Sequence, residues 1–291
     1  RSSRPNPANP TTDNPVSIPE TEELHGFTRK HSWVMKLFIV SDLHADASTN
    51  GLDRFDEIRA ALFNAVDAAI GEAQRTNPKN VLFIFAGDLC DPDTTRSFRA
   101  IGLAIDAALC LSRFSIGSIW IAGNHDVIEN DRGSTILEPL QMVAVNNGMI
   151  KVVERQEVIV RRISHIHSPD HFAIVALPYV ARANHYDPSE FVRKRCFGMT
   201  QSDGYAPVVV VGHLTVPSAE RGSESDDFAR GRDMIFPVAE CRRRWGDRCV
   251  LVNGHYHRKQ ITKDGVHVPG SPARLRHDTE QPAPGYPAIE V

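Results

Sequence analysis

Apolar and polar positions follow two different patterns along the first half of the chain. Short apolar runs, MKLFIV, VLFIFAG and SIWIAG, are typical of buried strands. Between them, residues 55–73 and 97–111 repeat apolar side chains at helical spacing, as at Ile58, Leu62 and Val66. Strands that alternate with helices in this way predict a sheet that is covered by helices.

The second half is dominated by strand-like runs separated by short turns. These runs are KVVERQEVIVRRI, HFAIVALPYV, APVVVVGH, CVLVNGHYH, RKQITKD and VHVPGS. They predict a second sheet that packs against the first, in a mixed α/β fold. The polar, glycine-containing stretch PSAERGSESDDFARGRD is expected to be a long loop, a kind of segment that is often functional in compact domains.

Residues 1–34 are rich in Pro, Asn, Thr and charged side chains and show neither pattern. We interpret them as a polar tail or extension that precedes one domain spanning residues 35–291. Met35 opens the first strand abruptly, so it is a candidate for the biological start of translation. The alternative is an arm that orders on a partner or on the surface of the domain.

Composition is typical of a soluble globular protein. Of the 291 residues, 41% are hydrophobic and 24% are charged, and every apolar run is far shorter than the roughly 20 residues that span a bilayer. The net charge of −3 gives no global attraction to nucleic acid, so DNA binding requires a local basic patch. Five cysteines without a C-x-x-C pair indicate reduced thiols and a cytoplasmic location.

Five strand ends each present Asp, Asn or His next to small or turn-forming residues. They are VSDLHAD, FAGDLCD, IAGNHDV, VVGHLT and NGHYH. Any one of them is a weak signal, because Gly-Asp and Gly-Asn are common in turns. Together they favour a divalent metal site, since carboxylate, amide and imidazole ligands suit Mn, Fe or Zn. Cys90, inside GDLCD, is expected to be a neighbour of the site and not a ligand.

His255 and His257 stand on either side of a tyrosine in NGHYH. In an extended segment, side chains two residues apart point to the same face, so both imidazoles can approach one point. The alternative is a surface strand with two solvated histidines. The other four strand ends favour a metal site that both histidines share.

The five motifs resemble the D-x-H, G-D-x-x-D, G-N-H-D/E, G-H and G-H-x-H signatures of the calcineurin-like metallophosphoesterases, over most of residues 35–272. The resemblance implies the four-layer α/β/β/α sandwich of that family, with two packed sheets flanked by helices. It also implies two divalent metal ions, Mn first, with Fe or Zn as alternatives. Seven side chains would be ligands, three for the first ion, three for the second and one bridging both: Asp42, His44 and His257; Asn124, His213 and His255; and Asp88.

The same resemblance implies a reaction mechanism. Two divalent ions lower the pKa of a shared water, and the bridging hydroxide attacks the phosphorus in line with the leaving group. His125 is expected to stand over the leaving oxygen and to stabilise its charge or supply its proton, with Asp126 orienting the imidazole. The alternative for His125 is a structural histidine near the site.

Two further segments, ALPYV and VHVPGSPARL, resemble the SbcD or Mre-type branch of DNA-repair exonucleases, as does the polar loop containing ERGSESDDF. This resemblance implies a Mn-dependent DNA nuclease, acting with an SbcC-like ABC ATPase or as a homodimer. If the chain is a dimer, we expect it to pair through the helices at 55–73 and 97–111. The alternatives are a phosphodiesterase or phosphatase for a small molecule, nucleotide or phosphoprotein, and a noncatalytic scaffold. Intact ligand positions argue against the scaffold.

Three basic clusters, at residues 161–162, 193–195 and 242–244, are candidates for contact with a phosphate backbone. Solvated surface runs are the favoured interpretation, because phosphate contacts require cations that converge on one face. His165, His167 and His171 in SHIHSPDH lack an accompanying carboxylate or cysteine pattern, so we expect a loop there and not a further metal site. The final GYPAIEV is expected to be the closing strand of the core.

Overall fold

The structure is a computed structural model that describes residues 35–91, 98–128, 133–162, 171–196, 205–221, 234–273 and 286–291. The predicted tail, residues 1–34, lies outside the described residues. So do residues 222–233 of the predicted long loop, and His165 and His167 of SHIHSPDH.

Thirteen strands and five α-helices make up the described part of the chain. In chain order they are β1 (Lys36–Val40), β2 (Ser48–Thr49), β3 (Leu52–Asp53), α1 (Phe55–Arg75), β4 (Val81–Ala86), α2 (Phe98–Arg113), β5 (Gly117–Ile121), α3 (Glu138–Ala144), β6 (Ile150–Val153), β7 (Glu157–Arg162), β8 (His171–Leu177), α4 (Pro188–Arg195), β9 (Tyr205–Gly212), α5 (Val238–Trp245), β10 (Cys249–Asn253), β11 (Gln260–Ile261), β12 (Val266–Val268) and β13 (Ala288–Glu290).

The strands form two main sheets, with β2 and β3 as a separate short hairpin. The first sheet has the order β13-β1-β4-β5-β6, with β1, β4, β5 and β6 parallel and β13 antiparallel to β1. The second has the order β11-β12-β10-β9-β8-β7, with a parallel centre and an antiparallel strand at each edge. The GYPAIEV segment supplies β13, so its prediction as a strand of the core sheet is confirmed.

Both faces of the first sheet are buried, which explains why its strands are continuous apolar runs. In β1, Phe38 and Val40 pack with the helices α1, α2 and α3, whereas Leu37 and Ile39 pack toward the second sheet. The parallel strands of the first sheet therefore contribute to two hydrophobic cores at once. The predicted sheet covered by helices is confirmed.

The second sheet is buried in the same manner. Val209 and Val211 of β9 pack toward the first sheet, while Val208 and Val210 pack with α4 and α5, including Trp245. One apolar layer lies between each sheet and its helices, and a third lies between the two sheets. The predicted α/β/β/α sandwich is confirmed.

The run KVVERQEVIVRRI is two strands in different sheets. β6 ends at Val153 in the first sheet, and β7 begins at Glu157 at the edge of the second. Residues 154–156, Glu-Arg-Gln, interrupt the apolar pattern where the chain crosses between the sheets. At this crossover, the Thr135 hydroxyl donates a hydrogen bond to the carboxylate of Glu154.

The helix predictions agree with the structure in position and differ at the ends. The helix predicted over 55–73 extends to Arg75, and the one predicted over 97–111 extends to Arg113. Among the described residues, the helices are too short or too polar to cross a membrane. The five cysteines, all in the described part, form no disulfide.

Candidate metal centre

The loops after β1 and β4 meet at the carboxyl edge of the first sheet. Backbone pairing continues past both strand ends: the Asp42 N–H donates to the Gly87 carbonyl at 2.8 Å and the Ala45 N–H to the Leu89 carbonyl at 2.7 Å. Main-chain hydrogen bonds therefore hold the DLH and GDLCD loops in register, and this register sets Asp42 close to Asp88.

Several predicted ligands have a backbone conformation that non-glycine residues rarely adopt. The φ angle is 54° at Asp42, 45° at His44, 61° at Asp88 and 80° at His255. A non-glycine residue in the left-handed region costs about 1–3 kcal/mol and persists only where the surroundings impose it. Here the strained turns lie directly after buried strands and aim the side chains toward a common point.

The predicted ligand side chains form two clusters, within each of which the ligand atoms lie no more than 4.8 Å apart. One contains Asp42, His44 and His257, and the other contains Asp88, His213 and His255. In the first cluster, Nε2 of His44 and Nε2 of His257 are 3.0 Å apart. In the second, Nε2 of His213 is 3.0 Å from Oδ1 of Asn124, which adds the predicted asparagine.

Asp88 lies between the two clusters. Its Oδ2 is 3.1 Å from Nε2 of His213 and 3.9 Å from Nε2 of His44. Its Oδ1 accepts the backbone N–H of His125 at 2.9 Å. One carboxylate oxygen therefore faces a histidine of each cluster, which is the position that a bridging ligand requires.

The two histidines of NGHYH do not lie on an extended strand, so that part of the prediction is wrong. β10 ends at Asn253, and His255 is in the left-handed region. The resulting turn places the ring of His255 5.1 Å from that of His213, and the ring of His257 4.7 Å from that of His44. Each imidazole therefore joins a different cluster of candidate ligand atoms.

Burial determines the protonation of the histidines. It lowers the pKa of His44 to about 4 and that of His255 to about 3, and it holds the pKa of His257 well below its ordinary value. These imidazoles are neutral at pH 7, the state that binds a divalent cation. In contrast, although burial opposes it, the charge of Asp88 raises the pKa of His213 to about 9.

The carboxylate of Asp88 remains ionised in the same environment. Burial alone would raise the pKa of Asp88, but His213 and His125 hold it well below its ordinary value. Carboxylate and amide oxygens combined with the neutral imidazoles of His44, His255 and His257 form a donor set that fits divalent ions, and metal binding at His213 would release its proton. Cys90 is buried beside this set and belongs to neither cluster, as expected.

Asn253 and Tyr256, which the sequence motifs did not single out as functional, hold the last two histidines in place. The side chain of Asn253 accepts the Leu214 N–H at 3.0 Å and donates to the Leu214 carbonyl at 2.8 Å. The Tyr256 hydroxyl accepts the Val216 N–H and donates to the Val216 carbonyl, both at 2.8 Å. These bonds tie the loop after β10 to the loop that carries His213. The position of Asn253 at the end of a buried strand could have indicated this role from the sequence, because buried polar groups need hydrogen-bond partners.

His125 lies on the accessible side of the clusters. Its side chain keeps 14% of its surface exposed, compared with 1% for Asp88. Its Nε2 is 3.7 Å from Oδ2 of Asp88 and 3.1 Å from Nδ2 of Asn124. The imidazole is therefore placed where a bound substrate can reach it.

The carboxylate of Asp126 accepts hydrogen bonds from backbone groups. The sequence had instead predicted that Asp126 orients the imidazole of His125. It accepts the N–H groups of Gly123 and Asp88 at 2.9 Å and of Leu89 at 2.8 Å. Burial and the charge of Asp88 raise the pKa of Asp126 to about 6. Asp126 thus positions the loop that carries the bridging carboxylate.

Replacement of Asp126 tests this positioning role. Asp126→Asn turns an amide NH₂ toward backbone donors, so we expect the free energy of unfolding to fall by about 1.5–3 kcal/mol. Metal affinity should fall about 10- to 100-fold. Thermal unfolding and calorimetric Mn²⁺ titration measure both. Asp187→Asn is the matched control, because Asp187 caps α4 at an exposed position where Asn caps equally well. Unchanged metal affinity in Asp126→Asn would contradict the role.

Most side chains of the basic clusters at 193–195 and 242–244 are engaged within the chain, and Arg195 is exposed. Arg242 donates to the carbonyls of Cys249 and Gly265, and Arg244 donates to the carbonyl of Cys196. Arg243 pairs with Glu240, and Lys194 pairs with Glu190 at 2.5 Å. The side chains at 161–162 lie outside the described residues. Arg242 and Arg244 therefore bind main-chain carbonyls, and Arg243 forms a surface ion pair, which the run of arginines alone did not indicate.

The fold and the donor set together define a metal-dependent hydrolase with a two-cluster centre at the carboxyl edges of its sheets. Residues 35–259 match the calcineurin-like phosphoesterases. The chain belongs to this family, as its motifs indicated, and the family implies metal-dependent hydrolysis of phosphoesters.

Comparison with solved structures shows similarities at low sequence identity. A dimetal phosphatase from Danio rerio is 13% identical, with a TM-score of 0.48, over 81% of this chain and 86% of that one. A 5'-nucleotidase precursor from Thermus thermophilus is 21% identical, with a TM-score of 0.40, over 79% of this chain and 44% of that one. No curated protein sequence matches the chain significantly. The similarities are too low to transfer a substrate.

Proposed function

We propose that this protein is a Mn²⁺-dependent nuclease of SbcD type that hydrolyses phosphodiester bonds in DNA. The observation that carries the proposal is the position of residues 266–273, the described part of the VHVPGSPARL segment, beside the metal centre. The Ser271 N–H donates to the His257 carbonyl at 3.1 Å. A Cβ on Gly270 would lie 2.9 Å from the same carbonyl. The segment that resembles the nuclease branch therefore packs directly on a predicted ligand.

The ALPYV segment also borders the centre. The carbonyl of Leu177 accepts the His213 N–H at 3.2 Å, and the Tyr179 N–H donates to the Ala122 carbonyl at 3.0 Å. Ala122 lies two residues before Asn124. Both segments that resemble the branch thus contact loops that carry predicted ligands, which supports a relation between these segments and the substrate.

The chain's own residues have separate tasks in this proposal. Bound divalent ions would supply Lewis acidity and a water of lowered pKa. Asp42 accepts the His255 N–H at 3.0 Å and so holds the last turn of the centre. His125, on the accessible side, orients the scissile phosphate and supplies a proton from its imidazole to the leaving oxygen. The neutral imidazoles of His44 and His255 present lone pairs without competition from protons at pH 7.

A phosphoesterase for a small substrate is the second candidate. It is favoured by Arg242 and Arg244, whose guanidinium groups bind main-chain carbonyls of the chain and so are less available to DNA. A net charge of −3 gives little general attraction to DNA. The nuclease proposal therefore includes an SbcC-like ATPase or a second copy of the chain, which would add phosphate contacts.

A substrate panel separates the two candidates. Purified protein with Mn²⁺ at low salt is incubated with linear duplex DNA, single-stranded DNA and bis-p-nitrophenyl phosphate, with and without a candidate ATPase. We expect cleavage of DNA, weakened steeply by salt. Asp88→Asn protein, prepared in parallel, controls for contaminating nucleases. Hydrolysis of the nitrophenyl ester with both DNA forms intact would replace the nuclease with the small-substrate enzyme.

A further inference from the structure

Two apolar side chains are exposed at the edge of the first sheet that carries the metal centre. Phe98, the first residue of α2, is 94% exposed, and Leu52, in the hairpin of β2 and β3, is 70% exposed. A helix that follows a parallel strand begins at the carboxyl edge of the sheet, where the ligand loops after β1 and β4 also meet. Neither side chain belongs to a hydrophobic core of the described chain, so both can contact a ligand.

The hairpin of β2 and β3 is preformed and is joined directly to a predicted metal ligand. Asn50 and Gly51 have φ angles of 53° and 78°, and such a left-handed pair is what a two-residue hairpin turn requires. The Ala47 N–H donates to the His44 carbonyl at 2.8 Å, and the Arg54 N–H donates to the Ala47 carbonyl at 3.2 Å. These main-chain bonds fix both ends of the hairpin next to the loop that carries His44.

The start of α2 is attached to the same hairpin. Nη1 of Arg99 is 2.7 Å from Oδ2 of Asp53, and the guanidinium carbon of Arg99 lies 4.0 Å from the ring centroid of Phe55. Oδ1 of Asp53 accepts the Phe55 N–H at 2.9 Å, so this carboxylate connects the starts of α1 and α2. Phe98 precedes Arg99 in the chain. Phe98 and the hairpin therefore stand on one support beside the centre.

The exposed apolar surface suits a different part of a substrate from the part that the centre binds. Metal ligands bind the ionic phosphate group through the ions, whereas a phenyl ring and a leucine side chain gain most from a flat, apolar group. Every nucleobase has such a face, and stacking on an aromatic side chain is a common mode of single-strand binding. In a duplex the neighbouring bases cover these faces, so only an unpaired base can stack on Phe98.

We infer that Phe98 and Leu52 form a stacking platform for an unpaired base next to the scissile phosphate. The inference rests on the proposed function and assigns residues that determine how tightly a strand binds. Stacking releases no counterions, so the contribution of the platform should not depend on salt, in contrast to that of a phosphate contact. The platform acts on binding, and the chemical step remains with the metal centre.

Phe98→Ala tests the platform with little risk to folding, because the side chain is exposed. With Mn²⁺ and a single-stranded oligonucleotide, we expect KM to rise about 5-fold or more, a loss typical of one base–aromatic stack, with kcat unchanged. Phe98→Tyr should restore the wild-type KM, because a phenol ring also stacks. The slope of log kcat/KM against log salt should match that of wild type in both variants. Leu52→Ala should also raise KM, by a smaller factor.

An abasic oligonucleotide with the same number of phosphates separates stacking from other roles of Phe98. As a competitive inhibitor, it should have the same Ki with wild-type protein and with Phe98→Ala, because it offers no base to stack. Phe114→Ala is the matched control, since Phe114 follows the other end of α2 and is also partly exposed. It should keep the wild-type KM and the wild-type Ki.

The failure of the platform is distinguishable from the failure of the proposed function. If Phe98→Ala keeps the wild-type KM, or if it raises KM and the abasic Ki equally, the platform is wrong and the nuclease proposal stands. A change from dimer to monomer in sedimentation, with KM unchanged, would assign the exposed ring to contact between copies of the chain. If wild-type protein leaves the base-containing oligonucleotide intact, the nuclease proposal falls, and the platform falls with it.

Discussion

Asp88→Asn should weaken both metal sites together and abolish turnover. One oxygen of Asp88 faces His213 at 3.1 Å and His44 at 3.9 Å, so the substitution removes a negative ligand from both clusters. Loss of a residue that only supports a ligand lowers metal affinity about 10- to 100-fold, and loss of a shared ligand should exceed that range for each ion. Elemental analysis and calorimetric Mn²⁺ titration measure the stoichiometry and both affinities.

The control for this prediction is Asp106→Asn, an isosteric change at an exposed position on α2. It should bind two ions with wild-type affinity. Far-UV circular dichroism of Asp88→Asn in chelator should retain the wild-type spectrum, since the loops are also held by main-chain bonds such as that from Asp42 to Gly87. Selective loss of one ion, with the other bound normally, would show that Asp88 belongs to a single site.

His125→Ala should lower kcat by about 10²- to 10⁴-fold, the range for a general acid, while the protein still binds two ions. His125 is partly exposed and contacts Asn124 through its ring, and it is absent from both clusters of ligand atoms. Its loss should therefore affect the transition state more than metal binding. Single-turnover kinetics and metal analysis on the same preparation separate the two effects.

Asp106→Asn serves again as the control, because Asp106 is exposed on α2 and is not one of the predicted ligands. Its turnover should remain within about twofold of wild type, as is usual for a substitution away from a functional site. A His125→Ala variant with a normal rate would remove His125 from the mechanism. A variant that loses one ion would reassign His125 as a ligand.

The parallel strands show which structural features the apolar pattern predicts and which it does not. The apolar runs of β1 and β4 predicted buried strands, and strands they are. The sequence does not state that Phe38 packs with the helices while Leu37 packs against another sheet, because both faces are equally apolar. Likewise, the chain crosses between the sheets within KVVERQEVIVRRI, so this run forms one strand in each sheet. A local sequence pattern does not predict such a crossover.

The side chains around the centre show the same limit. Asp126 and Arg242 are charged residues in motifs that suggested an imidazole partner and a phosphate contact. Their partners include main-chain groups far away in sequence, such as Leu89 for Asp126 and Gly265 for Arg242. Such partners are set by which loops meet in space. For that reason, the roles of these two residues followed only from the structure.

The sequence by itself determined the order of strands and helices, the donor types and the strand ends that carry them, because these depend on local period and composition. The tertiary structure decided which donors meet. Asp42 and His257 join one cluster although 215 positions separate them in the sequence. Their meeting depends on two sheets that pack with their carboxyl edges together and on the left-handed turn at His255. Burial then keeps His44, His255 and His257 neutral, whereas the charge of Asp88 favours the protonated form of His213.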